Sequence, residues 1–353
     1  MAEISSTDAR ALFTKMLIDV YQERIRPTAF LRSFFPTVVT AAKTVSLEVE
    51  RMGEEVSVDV VRGTEGNRNE FTKGMEKIYL PPFFREYFDA THLAVYDRVL
   101  GSQGNLQVPL FTELLNTVAD RLGLLQDKIE RRQEIMCSQV IDTGIVTMKN
   151  GDNIDFKRKA ASVVAFNTNS NFQNNNNNPF TIMETGCNFI RQYGHSPDAL
   201  FNVIMGVDAF NAFLLNTKVT DRQNFFNMSL DKILAPARNS FGAAFHGEIT
   251  LGQYKGYLWT YPQIYDHPDT GAKTYYVDTK KVHILPLAPR FKMVFAQVPK
   301  LVDREGTVPP PMAYTIGNFR DERKAVDEFD IQCAPVPIPV AIDQAYTVQV
   351  INP

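Results

Sequence analysis

Two Asp-Thr-Gly triplets, at 142–144 and 269–271, are the residues in this chain that most suggest catalysis. Paired triplets of this kind can hold two carboxylates that share a proton, provided each Asp sits on a tight turn fed by an apolar strand. Here Asp142 follows Val140 and Ile141 at the end of a helical pattern, whereas Asp269 follows His267 and Pro268 in a polar turn. The two settings do not match, so the triplets read as a helix C-terminus and a hairpin turn. Gly242-Ala243-Ala244-Phe245-His246-Gly247 has the glycine spacing of a phosphate loop, but Glu248 and Ile249 stand where Lys and Ser or Thr are needed. The five histidines, at 92, 195, 246, 267 and 283, include no i, i+4 pair and no Cys at ligand spacing, so no metal site is assigned. His195 and Asp198 flank Pro197 as in a turn, and no Gly-x-Ser-x-Gly elbow occurs. Lys157-Arg158-Lys159 reads as the solvated face of a hairpin strand, with at most weak nucleic-acid contact. Nothing here argues for an enzyme, and no catalytic residue or cofactor is expected.

The bulk properties agree. The chain has 353 residues, 44% hydrophobic and 22% charged, close to the average for soluble globular proteins. A net charge of −3 leaves no electrostatic footprint for nucleic acid or an anionic membrane. No apolar run approaches the roughly 18–20 residues that span a bilayer, and MAEISSTDAR lacks the features of a signal peptide. Cys137, Cys187 and Cys333 lie far apart and read as reduced, buried thiols made in a cytosol. The 25 Phe against one Trp favour broad apolar contact, in a core or at permanent interfaces.

The elements that position these residues are uneven along the chain. Ser6 or Thr7 can cap an amphipathic helix carrying Leu12, Phe13, Met16 and Leu17, which ends at Pro27. Its stripe, with Phe30, Phe34 and Phe35 of the following FLRSFFP, must dock on its own body or on a neighbour. From Thr44 the period changes to two, predicting a hairpin of strands at 45–49 and 56–60. A polar stretch, GTEGNRNEFTKG at 63–74, lies just beyond and has Phe71 as its one apolar residue. Helical spacing from Pro109 to 141 predicts a surface spine roughly 50 Å long. A strand, an Asn150-Gly151 turn and a second strand follow. The Asn-rich 167–178 reads as a flexible junction. Beyond it come a helix, a buried strand FNVIMG, a helix VDAFNAFLLNTK, and strands joined by Gly and Asp turns, an α+β unit with a mostly antiparallel sheet. The closing APVPIPVAIDQAYTVQVI looks like a final edge strand. A terminal arm and a long excursion without a core of their own point to assembly with other copies.

Several stretches in this order resemble the major capsid (head) proteins of tailed phages, specifically the lambda-type head protein or capsid protein E family. They are FLRSFFP at 30–36, Glu70-Phe71-Thr72-Lys73-Gly74, the ERRQ of the spine, VIMGVDAFNAFLLN at 203–216, the run 254–285, and the closing 314–351. Lys73 stands where a Pro is familiar, and the Asn run at 174–178 looks particular to this chain.

The resemblance implies the Hong Kong 97 fold. Its parts would be an N-terminal arm at 1–43, an extended loop (E-loop) at 44–90, a peripheral domain at 91–179 with the spine helix 109–141, an axial domain at 180–335, and a C-terminal strand at 336–353 returning to the peripheral domain. It implies self-assembly into hexamers and pentamers of an icosahedral shell around double-stranded DNA. Loops near 240–247 or 266–273 would line the capsomer centre. The E-loop tip (Gly63, Gly66, Arg68, Glu70, Phe71, Lys73 and Gly74) would lie over an adjacent subunit. Expected partners are further copies, a separate scaffolding protein, a portal, a decoration protein and weakly held DNA, with no membrane; assembly would occur in the host cytoplasm. Only about 30 residues precede the first anchor, too few for an internal scaffolding domain. Some relatives crosslink a Lys to a neighbour's Asn, and Lys73 and Lys77 lie near the tip, but the lambda type relies on decoration proteins instead. The alternative reading is another ring- or tube-forming virion component, a decoration or tail protein.

Overall fold

A computed structural model describes residues 27–49, 75–91, 110–149, 152–225, 237–238, 241–298, 311–321 and 326–352. The predicted spine is present as helix α1, Leu110–Asp142. Ile129, Met136, Cys137, Val140 and Ile141 are buried along its inner side, while Asp120, Arg121 and Lys128 face water. Gly144, at φ +75°, ends it in the left-handed conformation, and its N–H donates to the Val140 carbonyl at 3.0 Å.

Arg158 finishes the helix end. Its guanidinium donates to the carbonyls of Ile141 (2.6 Å), Ser162 (3.1 Å) and Ala345 (2.7 Å) and to Ser162 Oγ (2.7 Å). Burial pushes its pKa down to about 10, against the pull of Asp142 and Asp343, so it stays charged at neutral pH. The expected solvated basic run therefore holds at Lys157, which is exposed, and is corrected at Arg158 and Lys159. Lys157 pairs with Asp155, Arg158 is a helix cap, and Lys159 lies 3.7 Å from the centre of the Tyr193 ring. A helix C-terminus carries partial negative charge and unsatisfied carbonyls, which a planar five-donor cation suits.

Small sheets pack around α1. Strand β1 (Thr37–Val39) runs parallel to β15 (Phe291–Phe295), whose other side pairs with β18 (Pro335–Pro339). Three prolines at alternate positions are tolerated on β18 because an edge strand uses only every second N–H for pairing. Strands β16 (Thr315–Asp321), β17 (Val326–Cys333) and β4 (Phe84–Thr91) form a second antiparallel sheet. Thus strands from 291–333 lie with the long helix, alongside 335–339. The hairpin after the helix is β5 (Ile145–Thr147) with β6 (Asn153–Asp155).

One pairing differs from the sequence expectation. Strand β2 (Val45–Val49) pairs with β3 (Met75–Tyr79), in register Val45↔Tyr79 to Val49↔Met75. The expected partner strand, 56–60, lies outside the described residues. Alternation identifies a strand but does not choose its partner across a polar insert.

The second unit is a seven-stranded mixed sheet in the order β7 (Val163–Val164), β19 (Tyr346–Gln349), β14 (Lys281–Pro286), β8 (Leu200–Met205), β11 (Tyr254–Thr260), β10 (Ala244–Leu251), β9 (Ala237–Arg238). Helices α2 (Pro179–Tyr193), α3 (Val207–Leu215) and α4 (Thr217–Phe225) accompany it. Strands β12 (Ile264–Asp266) and β13 (Lys273–Tyr275) form a separate two-stranded hairpin, with Tyr265 packed against the core around α1. The chain's closing strand is an interior one, β19, and not the edge expected. Tyr346 and Val348 join the core under α2, and Thr347 Oγ1 donates to the Ile141 carbonyl at 3.0 Å, so both faces are buried.

The Asn-rich segment is likewise a strap rather than a flexible junction. Phe172 is wholly buried, and its carbonyl accepts from Asn216 Nδ2 at 2.8 Å. Side-chain oxygens of Asn167, Asn171 and Asn174 accept backbone N–H groups two or three residues on, and Asn178 caps α2 through Phe180 N. Asparagine amides imitate backbone groups, so a polar run can hold itself in consecutive tight turns.

His283 in β14 is buried, with Nδ1 3.1 Å from Thr347 Oγ1. Burial is the main cause that pushes its pKa down to about 4, with Lys281 and Arg158 adding to it and Asp142 opposing. The unfolded chain therefore takes up the proton first as pH falls. Stability is full above the ordinary value near 6.5 and is lost between about 6.5 and 4, by about 3 kcal/mol. Urea midpoints at pH 7 and pH 4.5 should differ more for the natural chain than for His283→Gln. Equal pH dependence in the two proteins would assign the loss to other groups.

Candidate functional site

The catalytic readings find no support in the geometry. Asp142 ends α1 and pairs with Lys281 at 2.7 Å, while Asp269 occupies the β12–β13 turn, 3.8 Å from Lys149. Residues 244–251 are a strand, and His246 is buried with Nε2 2.7 Å from Thr260 Oγ1. The three cysteines are buried, and burial pushes the thiols of Cys187 and Cys333 up to about 12. Among the described residues no group of three or more His, Cys, Asp or Glu could hold a metal ion, and no helix is long and apolar enough to cross a membrane.

The sequence-derived contact residues divide into two sets. Gly63, Gly66, Arg68, Glu70, Phe71, Lys73 and Gly74, with Leu12, Phe13, Met16 and Leu17, lie outside the described residues. Phe30, Phe34 and Phe35 are described, and they dock on this chain's own body. Phe30 is buried between Trp259 and Tyr261, at ring distances of 5.3 and 5.4 Å, and Phe34 meets it edge-on. Phe35 stacks on Phe291 at 4.9 Å.

A buried carboxylate holds this segment to the spine. Glu134 of α1 is 0% exposed. Its Oε1 accepts from Leu31 N (2.8 Å) and Tyr261 Oη (2.9 Å), and its Oε2 accepts from Arg32 N (3.0 Å). The Arg32 guanidinium reaches Gln133 Oε1 at 3.1 Å and Glu130 Oε2 at 3.2 Å, and Gln133 Nε2 donates to Tyr314 Oη at 3.0 Å. Burial raises the Glu134 pKa above the usual carboxylate range, and the three donors and Arg32 pull it back. The sequence pattern sets Glu134 with the charged residues on the outer side of the spine, and its burial corrects that reading. The signal was available, because it stands three residues before Cys137 and seven before Ile141, on the buried stripe where a charge is out of place.

Four large apolar side chains along β3, β4 and the turn between them are exposed. Ile78 is 68% exposed, Leu80 61%, Phe83 50% and Tyr87 57%. Next to them Arg85 pairs with Asp330 (3.0 Å) and Glu328 (2.5 Å), and Lys128 of α1 pairs with Glu86 (2.7 Å), which ties β4 to the body. The arrangement offers a strand pair, β2–β3, with apolar surface at its root.

Comparison with known proteins bears on this arrangement. A family model described as phage major capsid protein E matches residues 15–350. The crystal structure of a protein described as a prophage capsid protein of E. coli CFT073 has a TM-score of 0.61 at 14% identity, covering 96% of this chain and 98% of that one. A phage-related protein from Bordetella bronchiseptica RB50 has a TM-score of 0.48 at 14% identity, covering 98% and 95%. The mature capsid of bacteriophage PhiM1 has a TM-score of 0.48 at 10% identity, covering 94% and 90%. None of the curated proteins matches the chain in sequence.

Proposed function

The chain belongs to the phage major capsid protein E family, and from that premise we propose that its copies form hexamers and pentamers that tile an icosahedral shell around a double-stranded DNA genome. Its place is the capsid shell of the virion, in the Hong Kong 97 fold. The observation that carries the assembly reading is the β2–β3 excursion with Ile78, Leu80, Phe83 and Tyr87 exposed at its root. A monomer leaves this apolar surface in water, and a neighbouring copy buries it at a gain of about 25 cal/mol per Å². The tip residues from Gly63 to Gly74 then lie over the adjacent subunit, with Phe71 as their apolar contact. The stripe of Leu12, Phe13, Met16 and Leu17 docks on a neighbour as well. Assembly takes place in the host cytoplasm with a separate scaffolding protein, and portal, decoration protein and loosely held DNA complete the partners. Weak DNA contact suits a chain with a net charge of −3, because tight phosphate binding would make packaging salt-sensitive.

Electron microscopy of the expressed chain tests this. Closed shells or flat sheets of hexamers support it, and monomers alone, with and without a scaffolding protein, count against it. Phe71→Ala then tests the tip. Intact capsomers with lost or fragile shells are expected, and shells as abundant and robust as those of the natural chain would assign Phe71 no contact.

A further inference from the structure

Residues 28–35 are fastened to the body at several points. Glu134 takes two consecutive backbone N–H groups, of Leu31 and Arg32, and Tyr261 Oη, which also bonds Thr28 Oγ1. Immediately downstream, β1 is paired with β15 and Phe35 is stacked on Phe291. The segment is therefore fastened at both ends, to the spine helix on one side and to a sheet packed on that helix on the other. A buried polar group is costly unless every partner is present, and here all the groups facing the carboxylate are donors.

We infer that Glu134 is a positioning residue for shell assembly, fixing the direction in which residues 1–26 leave the body by clamping the Leu31–Arg32 backbone to α1. This rests on the shell reading above. A docking segment reaches its neighbour productively only if its root is held at a constant angle, since a loose root spreads the segment over orientations that do not dock. A carboxylate suits the task because it is acceptor-only. A Gln that keeps its oxygen toward Leu31 and Tyr261 turns an NH2 toward Arg32 N, donor against donor.

The test compares Glu134→Gln with Val203→Ala, a change in the other core that loosens the fold without touching the clamp. Both are co-expressed with whatever scaffolding the natural chain needs, matched for thermal midpoint by choice of temperature, and imaged. Val203→Ala is expected to close shells of natural diameter, while Glu134→Gln gives folded subunits, faster amide exchange over 28–35, and a loss of closed shells in favour of open or irregular assemblies. Glu134→Gln shells as frequent and as regular as those of Val203→Ala would overturn the inference. If Glu134→Gln does not fold, Tyr261→Phe removes one donor at constant volume, and a lowered fraction of closed shells is expected, an unchanged fraction overturning the proposal. Failure of the natural chain itself to form any shell removes the shell reading, and this inference with it.

Discussion

Replacing Arg158 by Met is expected to destabilise the folded subunit by about 3 kcal/mol or more, at the level seen when a buried charged partner is removed. Methionine keeps the aliphatic stem, so the loss isolates the guanidinium. The carbonyls of Ser162 and Ala345 lose their charged donor, and that of Ile141 keeps only the Thr347 hydroxyl. Burying this cation is itself costly, and burial accordingly pushes its pKa down. Its contribution is therefore the satisfaction of carbonyls from α1, the 160–162 turn and the approach to β19, which it gathers at one point. Arg158→Lys should recover only a minority of the loss, because an ammonium is a point donor and cannot reach carbonyls on three segments at once. Urea unfolding of the unassembled subunit measures both variants. A Met variant within about 0.5 kcal/mol of the natural protein, the range of ordinary surface changes, would refute the role.

Gly206→Ala should be comparably severe, for a steric reason. A Cβ at Gly206 would stand 2.2 Å from the Asp278 carbonyl oxygen and 2.5 Å from the carbonyl carbon and oxygen of Thr279. Those are backbone atoms and cannot rotate away. They are fastened, since Gly206 N donates to the Lys281 carbonyl at 3.0 Å and Ala209 N to the Thr279 carbonyl at 2.9 Å. Relief requires parting β8 from β14 or shifting the first turn of α3. The expected loss is about 3 kcal/mol or more, the upper end for overpacking. Gly271→Ala is the comparison. At Gly271, φ is +65° but nothing lies within 4 Å, so only the left-handed strain of about 1–2 kcal/mol applies. Soluble yield and thermal midpoint separate the two, and a Gly206→Ala protein as stable as Gly271→Ala would show that the backbone at 278–279 yields.

Much of the architecture was legible because it is encoded locally. The 3.6-residue apolar spacing of α1, the runs behind β8 and α3, and the alternating strands after Gly247 all write their periods into neighbouring residues. The long helix was expected at 109–141 and spans Leu110–Asp142. Local patterns also set the Gly242–Gly247 run apart from a phosphate loop, since Glu248 and Ile249 stand where Lys and Ser or Thr are needed. The family was legible from the order of its stretches, each weak alone.

What the sequence by itself determined, then, is the spine helix, the helices and strands of the unit after residue 179 whose periods are local, and the family to which their order belongs. Only the tertiary structure decided the partners. It paired Val45–Val49 with Met75–Tyr79, placed Tyr346–Gln349 inside a sheet, turned the Asn run into a strap, and drew Arg158 and Glu134 inward against backbone groups. These choices depend on contacts between residues up to about two hundred positions apart, such as Arg158 with Ala345 and Glu134 with Leu31. A charged or polar side chain looks the same in sequence whether it meets water or a buried carbonyl. Its role is set by the desolvated groups that the fold brings to it.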